Sequence, residues 1–202
     1  MEKIVICEKC GAMVKVLIDC TCQNCGIRCC GEVMKEISKE GVEKLIKAGS
    51  DHRKFLRQIF VSVDITAPLY WWKEFDTYKV GTVANSTSTM HKIHAKEFTR
   101  EDFSCDRMDE GGLALLDTVI AYLESERQKF LADKNNKQAW HNMIQTLPTS
   151  YNQMRTVTLN YENLINMYYA RRNHKLAEWH ALCDWILSLP YAQELICIKD
   201  EN

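Results

Sequence analysis

The sequence predicts an α+β fold, in which a mainly helical domain with few strands follows a small cysteine-rich domain. Three observations support this prediction: cysteines cluster at the N-terminus, hydrophobic residues alternate around residue 60, and helical spacing of hydrophobic residues recurs after residue 110. The 202 residues are 46% hydrophobic and 26% charged, which is enough to bury a core. We expect residues 1–37 to form the cysteine-rich domain, 38–51 a linker and 52–202 the main domain.

The charge balance argues against two classes of partner. Lys and Arg number 26 and Asp and Glu 27, so the net charge of −1 lacks the basic surplus that drives nucleic-acid binding. No apolar stretch is long enough to span a membrane, and the N-terminus lacks the apolar core of a secretory signal. We therefore expect a cytoplasmic protein with no nucleic-acid and no membrane partner.

Seven of the ten cysteines lie within the first 30 residues, at positions 7, 10, 20, 22, 25, 29 and 30. In a reducing cytosol, Cys-x-x-Cys pairs are more often metal ligands or redox groups than disulfides. Cys7 and Cys22 each begin a Cys-x-x-Cys-Gly knuckle, and a Cys-Cys-Gly group begins at Cys29. Four thiolates from such turns form the tetrahedral cage that zinc or iron prefers, so we predict one Fe or Zn ion here.

The strings CEKCGAMVKVL and CCGEVM resemble the desulforedoxin-type domain over about residues 5–37. This resemblance implies that the ligands are Cys7, Cys10, Cys29 and Cys30. The insert DCTCQNCG departs from that family by adding three cysteines. The alternative is a zinc ribbon that uses the two Cys-x-x-Cys pairs. Iron would pass single electrons, whereas zinc would only stabilise the fold.

The main domain begins with a predicted strand, because hydrophobic residues occupy every second position from Ile59 to Ile65 before the strand ends at Ala67-Pro68. From Leu69, aromatic residues at helical spacing predict a helix. Its stripe of Trp71, Trp72, Phe75 and Tyr78 is either a ring-stacking platform or core, and we interpret it as core. A polar loop, GTVANSTSTM, follows; its hydroxyls either cradle a phosphate or form an ordinary loop. Further helices are predicted over residues 112–133, 137–147, 158–172 and 176–189.

A strand ending in Ala-Pro, an aromatic-rich helix and a polar loop that contains Asn85 together resemble the core of the flavin-dependent thymidylate synthases. The C-terminal half carries further matches in the order of that family's closing segment: Leu147-Pro148, Thr158-x-Asn160, Leu164, Asn166, Arg171 and Ala177-x-Trp179. The resemblance covers most of residues 52–190. It implies a homotetramer whose flavin sites lie between subunits, where Lys79 and Arg171 would meet.

The resemblance also implies the site and the chemistry. FAD would be contacted by Tyr78, Lys79, Asn85, Ser88, Asn160, Asn166 and His174, or by Lys175 in place of His174. The nucleotide would be bound by Glu74, Thr87 and Arg171, with Arg171 as the catalytic residue. The implied reaction is methylation of dUMP, with FAD, a reduced nicotinamide cofactor and methylenetetrahydrofolate.

The family's diagnostic motif, R-H-R-x-x-S-x-N-E-x-S-x-R, is degenerate in this chain. Thr77-Tyr78-Lys79 stands under Arg-His-Arg, and Thr89 or Met90 stands under the last arginine, so every motif arginine is absent. The family's arginine before Leu-Pro is also missing, and Arg155 is a candidate replacement. A divergent enzyme acting on dUMP or another nucleotide is one hypothesis. The alternative is a non-catalytic or repurposed protein that binds a nucleotide or a partner.

Two further patterns have simple structural interpretations. His91-x-x-His94 has a spacing that suits a metal, but no third ligand lies nearby in the sequence, so we expect no metal site there. Cys105, Cys183 and Cys197 lack neighbouring histidines or basic pairs, so we expect structural thiols.

Overall fold

The computed structural model describes residues 3–7, 13–16, 28–33, 35–36 and 38–200. These residues form a mixture of helices and sheets, which confirms the predicted α+β class. They divide into two compact units. The first unit contains the described residues up to Val61, Val80–Thr82 and the residues from Thr158 on, and the second contains Ser62–Lys79 and Val83–Val157.

The N-terminal part of the first unit contains short strands. Strand β1 (Lys3–Ile6) pairs antiparallel with β2 (Met13–Val16) and with β5 (Lys35–Glu36). Strands β3 (Arg28–Cys29) and β4 (Glu32–Val33) form a separate antiparallel pair. Between them the chain turns through positive φ angles of 52° at Cys30 and 80° at Gly31, and glycine adopts such an angle at little cost.

Helix α1 (Lys39–Lys47) occupies most of the predicted linker. Ser38 caps it, because its hydroxyl accepts a hydrogen bond of 3.2 Å from the Gly41 N–H. Val42 and Ile46, four residues apart, share a face and are buried. This segment therefore packs within the first unit as a helix, while the predicted domain boundaries at residues 37 and 52 stay a prediction.

Helix α6 (Tyr161–Arg171) contributes buried side chains to the core of the first unit. Its side chains Leu164, Ile165 and Met167 are fully buried. It contacts helix α7 (Ala177–Leu187) and a short 3-10 helix over Lys54–Gln58. A further helix, α8 (Ala192–Leu195), contacts α1 and α7. The residues that flank α6 at either end are the ones that the sequence proposes as ligand contacts.

A three-stranded sheet has the order β6-β8-β7, formed by β6 (Phe60–Pro68), β7 (Val83–Ser86) and β8 (Asn152–Asn160). Strand β6 confirms the predicted strand. The other two correct the sequence predictions: β7 lies within the predicted polar loop, and β8 occupies the start of the helix predicted from residue 158. The run Thr156-Val157-Thr158 is β-branched and favours a strand, and Val157 is fully buried.

The second unit packs helices around two aromatic and aliphatic clusters. Helix α2 (Leu69–Phe75) buries Trp71, Trp72 and Phe75, which confirms their interpretation as core. The prediction is wrong for Tyr78, which follows the helix and is only partly buried. The remaining helices are α3 (Thr89–Lys92), α4 (Glu110–Ala132) and α5 (Lys137–Thr146). Helices α4 and α5 share a core made of Ile93, Phe98, Phe103, Leu116, Leu123 and Met143. In the part of the chain that the structure describes, no helix has both the length and the hydrophobicity needed to cross a membrane.

Candidate functional site

The sequence-predicted site residues fall into both units. Asn160, Asn166, Arg171 and His174 belong to the first unit and lie on or beside α6. The second unit holds the other candidates, which are Glu74, Tyr78, Lys79, Asn85, Thr87 and Ser88. Each unit therefore holds its own group of candidate residues, with its own set of contacts.

The N-terminal end of α6 is fixed by a reciprocal cap. The Asn163 N–H donates to Asn160 Oδ1 and the Asn160 N–H donates to Asn163 Oδ1, both at 3.1 Å. Asn163 Nδ2 also donates to the Val80 carbonyl at 2.6 Å. Gly81 has a φ of +77°, and a Cβ there would lie 2.9 Å from Asn160 Nδ2. The predicted flavin contact Asn160 is thus held in place by its cap and by a closely approaching backbone.

A buried arginine, which sequence reasoning missed, lies beside the middle of α6. Arg53 is 4% exposed, and its Nε and Nη2 donate to the two carboxylate oxygens of Glu162 at 2.8 and 3.1 Å. Nη2 also donates to Asn166 Oδ1 at 3.3 Å. Among the described residues, the buried Arg53 Nη1 has no hydrogen-bond partner. A buried donor without a partner is costly, so an acceptor from a water or a ligand would stabilise this atom.

The C-terminal end of α6 places a cation over an aromatic ring. The guanidinium carbon of Arg171 lies 4.6 Å from the ring centroid of the fully buried Trp179. The His174 ring lies 6.2 Å from the same tryptophan, and its Nδ1 accepts a hydrogen bond of 3.2 Å from the Leu176 N–H. The structure therefore brings together two of the predicted residues, Arg171 and His174, around Trp179.

In the second unit, Arg155 is fixed at three points. Its Nε donates to Gln153 Oε1 and its Nη1 donates to Asp76 Oδ1, both at 2.8 Å. Its guanidinium carbon lies 4.4 Å from the ring centroid of Trp72, whose Nε1 donates to the Gln153 carbonyl at 2.9 Å. The arginine side chain is 18% exposed. The sequence offered Arg155 only as a replacement cation, and its partners could not be identified without the structure.

The hydroxyl-rich segment Ser86–Thr89, which begins at the last residue of β7, contacts β8 at Gln153 and Met154. Thr87 Oγ1 donates to the Met154 carbonyl at 3.5 Å, and Gln153 Nε2 donates to Thr89 Oγ1 at 3.0 Å. Between them, Ser88 has a left-handed backbone, with a φ of 56°, which a non-glycine residue adopts only at some energetic cost. The predicted contacts Thr87 and Ser88 therefore lie on a segment that Gln153 links to Arg155.

The remaining candidates of the second unit are less constrained. Asn85 is exposed, as are all four residues of β7. Glu74 and Tyr78 are partly buried, while Lys79 is exposed and forms no ion pair with the described residues. Helix α2 ends at Phe75, so Tyr78 and Lys79 follow the helix instead of extending it.

The predicted metal site lies mostly outside the described residues. Cys7, Cys29 and Cys30 are described, whereas Cys10, Cys20, Cys22 and Cys25 are not. Among the described residues, no group of three or more His, Cys, Asp and Glu side chains could hold a metal ion. The four-cysteine site therefore stays a prediction.

His94 and Cys183, which belong to two other sequence patterns, have environments that indicate a packing role. The His94 ring lies against Phe130, and burial together with Lys134 and Arg127 lowers its pKa. Cys183 on α7 is buried, and burial, with a smaller contribution from Asp184, raises the pKa of its thiol to about 11. A thiol that keeps its proton at neutral pH suits a structural role.

The α+β fold of this chain is similar to that of the flavin-dependent thymidylate synthases. Thymidylate synthase X (ThyX) from Helicobacter pylori with FAD and dUMP matches with a TM-score of 0.58 at 14% identity, over 81% of this chain and 83% of that one. Another ThyX complex with FAD and dUMP from the same organism matches with a TM-score of 0.54 at 16% identity, over 77% and 82%.

A methylase has a comparable fold. The UMP/dUMP methylase PolB from Streptomyces cacaoi, bound with 5-Br dUMP, matches with a TM-score of 0.56 at 11% identity, over 79% of this chain and 80% of that one. No family model and no curated protein matches the sequence. At these identities, the similarity establishes the fold.

Proposed function

We propose that this protein binds a flavin dinucleotide and a pyrimidine nucleoside monophosphate related to dUMP. The observation that carries this proposal is the similarity of fold, over about four-fifths of the chain, to two complexes with FAD and dUMP and to one with 5-Br dUMP. Since fold alone does not determine function, the proposal depends also on whether the residues of this chain fit those ligands.

The residues along α6 fit an extended flavin. The helix has 11 residues, and a rise of 1.5 Å per residue makes it about 16 Å long. Asn160 stands at one end, Arg171 and His174 at the other, and Asn166 with the unpartnered Arg53 Nη1 between them. A ligand that contacts both ends of the helix must be extended, and a flavin dinucleotide presents carbonyl and phosphate oxygens along its length. When bound, FAD would supply hydride transfer.

For the nucleotide we propose Arg171, Thr87 and Glu74. A guanidinium suits a phosphate because its fork of donors matches two phosphate oxygens, and Trp179 holds the Arg171 guanidinium in a defined position. Tyr78, Lys79, Asn85 and Ser88 are the proposed flavin contacts in the second unit. Lys79, Asn85 and Ser88 are exposed and Tyr78 is partly buried, which leaves all four at least partly accessible to a ligand.

The proposed reaction is the methylation of dUMP in the cytoplasm by a homotetramer. Methylenetetrahydrofolate would supply the one-carbon unit and a reduced nicotinamide cofactor would reduce the flavin. The absence of the motif arginines favours a second candidate, in which the chain binds a nucleotide or a protein partner without methylating dUMP.

One purified sample distinguishes these candidates. We expect FAD to bind with a change in its absorption band, and dUMP to raise the melting temperature of the protein, because a ligand that binds only the folded state stabilises it. Transfer of labelled carbon from methylenetetrahydrofolate to dUMP, and rescue of a thymidine-requiring host, would establish methylation. Ligand binding without transfer would establish the second candidate. A protein that binds no FAD, or no pyrimidine nucleoside monophosphate, would contradict the proposal.

The iron or zinc site is a separate proposal that rests on the cysteine spacing. Elemental analysis of protein purified without oxygen should find one metal ion per chain. Iron in a four-thiolate cage should colour the protein and zinc should not. Replacing Cys29 and Cys30 by serine should release the metal in a desulforedoxin-type site, whereas replacing Cys22 and Cys25 should release it in a zinc ribbon. A metal-free folded protein would contradict both.

A further inference from the structure

We infer that Arg155 binds the phosphate of the nucleotide ligand, together with the hydroxyl-rich segment Ser86–Thr89. This inference rests on the proposed function, since it assumes that a nucleoside monophosphate binds. It adds a residue to the site, because the guanidinium would come from β8 instead of from the degenerate motif segment.

The orientation of Arg155 supports this role. Gln153 and Asp76 each use one of the five guanidinium N–H groups, and Trp72 supports one face of the plane. The other N–H groups donate to no acceptor among the described residues. A guanidinium that is already held in one orientation loses little freedom when it binds an anion, and it can donate two parallel hydrogen bonds to a phosphate.

The neighbouring hydroxyls add donors of the kind that phosphates accept. Gln153 contacts both Arg155 and Thr89, so one buried amide holds the arginine and the hydroxyl segment together. Thr87 contacts the Met154 carbonyl, next to both residues in β8. Ser86 and Ser88 are exposed on the same segment. The arrangement combines a fixed cation with small hydroxyl side chains.

Asp76 provides a test of the inference, because the inference predicts that removing its charge strengthens phosphate binding. Its side chain is 49% exposed, and its carboxylate occupies one donor of Arg155. A phosphate monoester carries nearly two negative charges at neutral pH and would be repelled by Asp76. Since Gln153 and Trp72 hold Arg155 independently, removing the carboxylate charge should leave the guanidinium in place and strengthen phosphate binding.

The experiment compares dUMP, UMP and dCMP with their nucleosides and with inorganic phosphate, by calorimetric titration. For the wild type we expect the monophosphates to bind more tightly than the nucleosides. Arg155→Gln should weaken monophosphate binding about 10- to 100-fold, as expected for a hydrogen bond to a charged group, with nucleoside and FAD binding unchanged. The monophosphate affinity of Arg155→Lys should lie between those of the wild type and Arg155→Gln. Asp76→Asn should bind monophosphates more tightly than the wild type.

Arg100→Gln is the matched control. Arg100 forms a bidentate pair with Asp117 in the same unit, so this variant loses the same charge and also an arginine–aspartate ion pair. It should bind every ligand as the wild type does. Melting curves verify that each variant is folded.

The outcomes separate this inference from the proposed function. If the wild type binds no monophosphate, both are wrong. If the wild type binds one, but Arg155→Gln binds it equally well or loses nucleoside and monophosphate binding in parallel, only the role of Arg155 is wrong. Weaker monophosphate binding by Asp76→Asn would also contradict the inference, because it would show that the ion pair itself maintains the site.

Discussion

The two units each contain an arginine paired with a carboxylate, in contrasting environments. In the first unit, the Arg53 and Glu162 side chains are 5% and 9% exposed. In the second, Arg155 and Asp76 are 18% and 49% exposed. The pairing distance is 2.8 Å in both. The Arg53–Glu162 pair is bidentate, whereas Arg155 and Asp76 share one contact, and the second pair is also more accessible to water.

This difference determines what each pair can do. A buried pair must stay intact, because a single charge left without its partner in a nonpolar interior is strongly unfavourable. A partly exposed pair contributes little to stability, since water solvates either charge. We therefore expect removal of Arg53 to destabilise the protein strongly, and we expect Arg155 to be able to exchange Asp76 for a ligand at a small cost in stability.

The largest expected effect on stability is the loss of Arg53, compared with the loss of Arg155. Arg53→Met should lower the free energy of unfolding by about 3–5 kcal/mol, because Glu162 remains buried without a partner. Arg155→Met should lower it by about 1 kcal/mol or less. Urea unfolding followed by circular dichroism measures both. Adding Glu162→Leu to Arg53→Met should restore most of the loss. Equal losses in the two single variants would remove the contrast between the pairs.

A smaller effect tests the close approach at the start of α6. Ala at Gly81 should cost about 1–2 kcal/mol for its left-handed backbone, and more because its Cβ would meet the capped Asn160 side chain. Gly49→Ala is the control, since Gly49 also has a positive φ, of +103°, but its Cβ would meet nothing within 4 Å. Thermal unfolding should give Gly81→Ala a lower melting temperature than Gly49→Ala. The reverse order would show that the Asn160 contact is not constraining.

Removing one helix cap in each unit should have a still smaller effect on stability. Asn160 caps α6 in the first unit and Asn136 caps α5 in the second, each through a hydrogen bond of 3.1 Å. Replacing either by alanine should cost about 1 kcal/mol. Only Asn160→Ala should also weaken FAD binding, which flavin fluorescence can follow. Equal FAD binding by the two variants would show that Asn160 acts as a cap alone.

The smallest expected effect is a pH dependence in the second unit. Because the pKa of His94 is lowered in the folded protein, the unfolded chain binds the proton more readily. Stability should be complete above the ordinary pKa of about 6.5, and it should fall as the pH drops from there towards the lower folded value. His94→Gln should flatten the profile of unfolding free energy between pH 7 and pH 5. A wild-type profile that is already flat would contradict this.

Sequence patterns predicted the elements whose periodicity is visible locally. Strand β6 alternates cleanly, and the aromatic stripe of α2 marked a buried face. Strand β8 was missed because its run Thr156-Val157-Thr158 is short and leads directly into the amphipathic pattern of α6. The polar residues of β7 gave no hydrophobic signal, since its four residues are all exposed.

For the candidate site, the sequence proposed single residues through a resemblance, among them Arg171, His174 and Asn166, and their roles stay a prediction. The pair between Arg53 and Glu162 joins residues 109 positions apart, and the pair between Arg155 and Asp76 joins residues 79 apart. No local pattern encodes such distant contacts, because they arise from tertiary packing.

The buried thiol of Cys183 has a practical consequence. With a pKa of about 11, about one molecule in ten thousand carries the reactive thiolate at pH 7. Maleimides and peroxide react with thiolates, so they should leave this residue intact while α7 is folded. The labelling rate of Cys183 would then measure how often α7 opens, which makes this cysteine a probe of local unfolding.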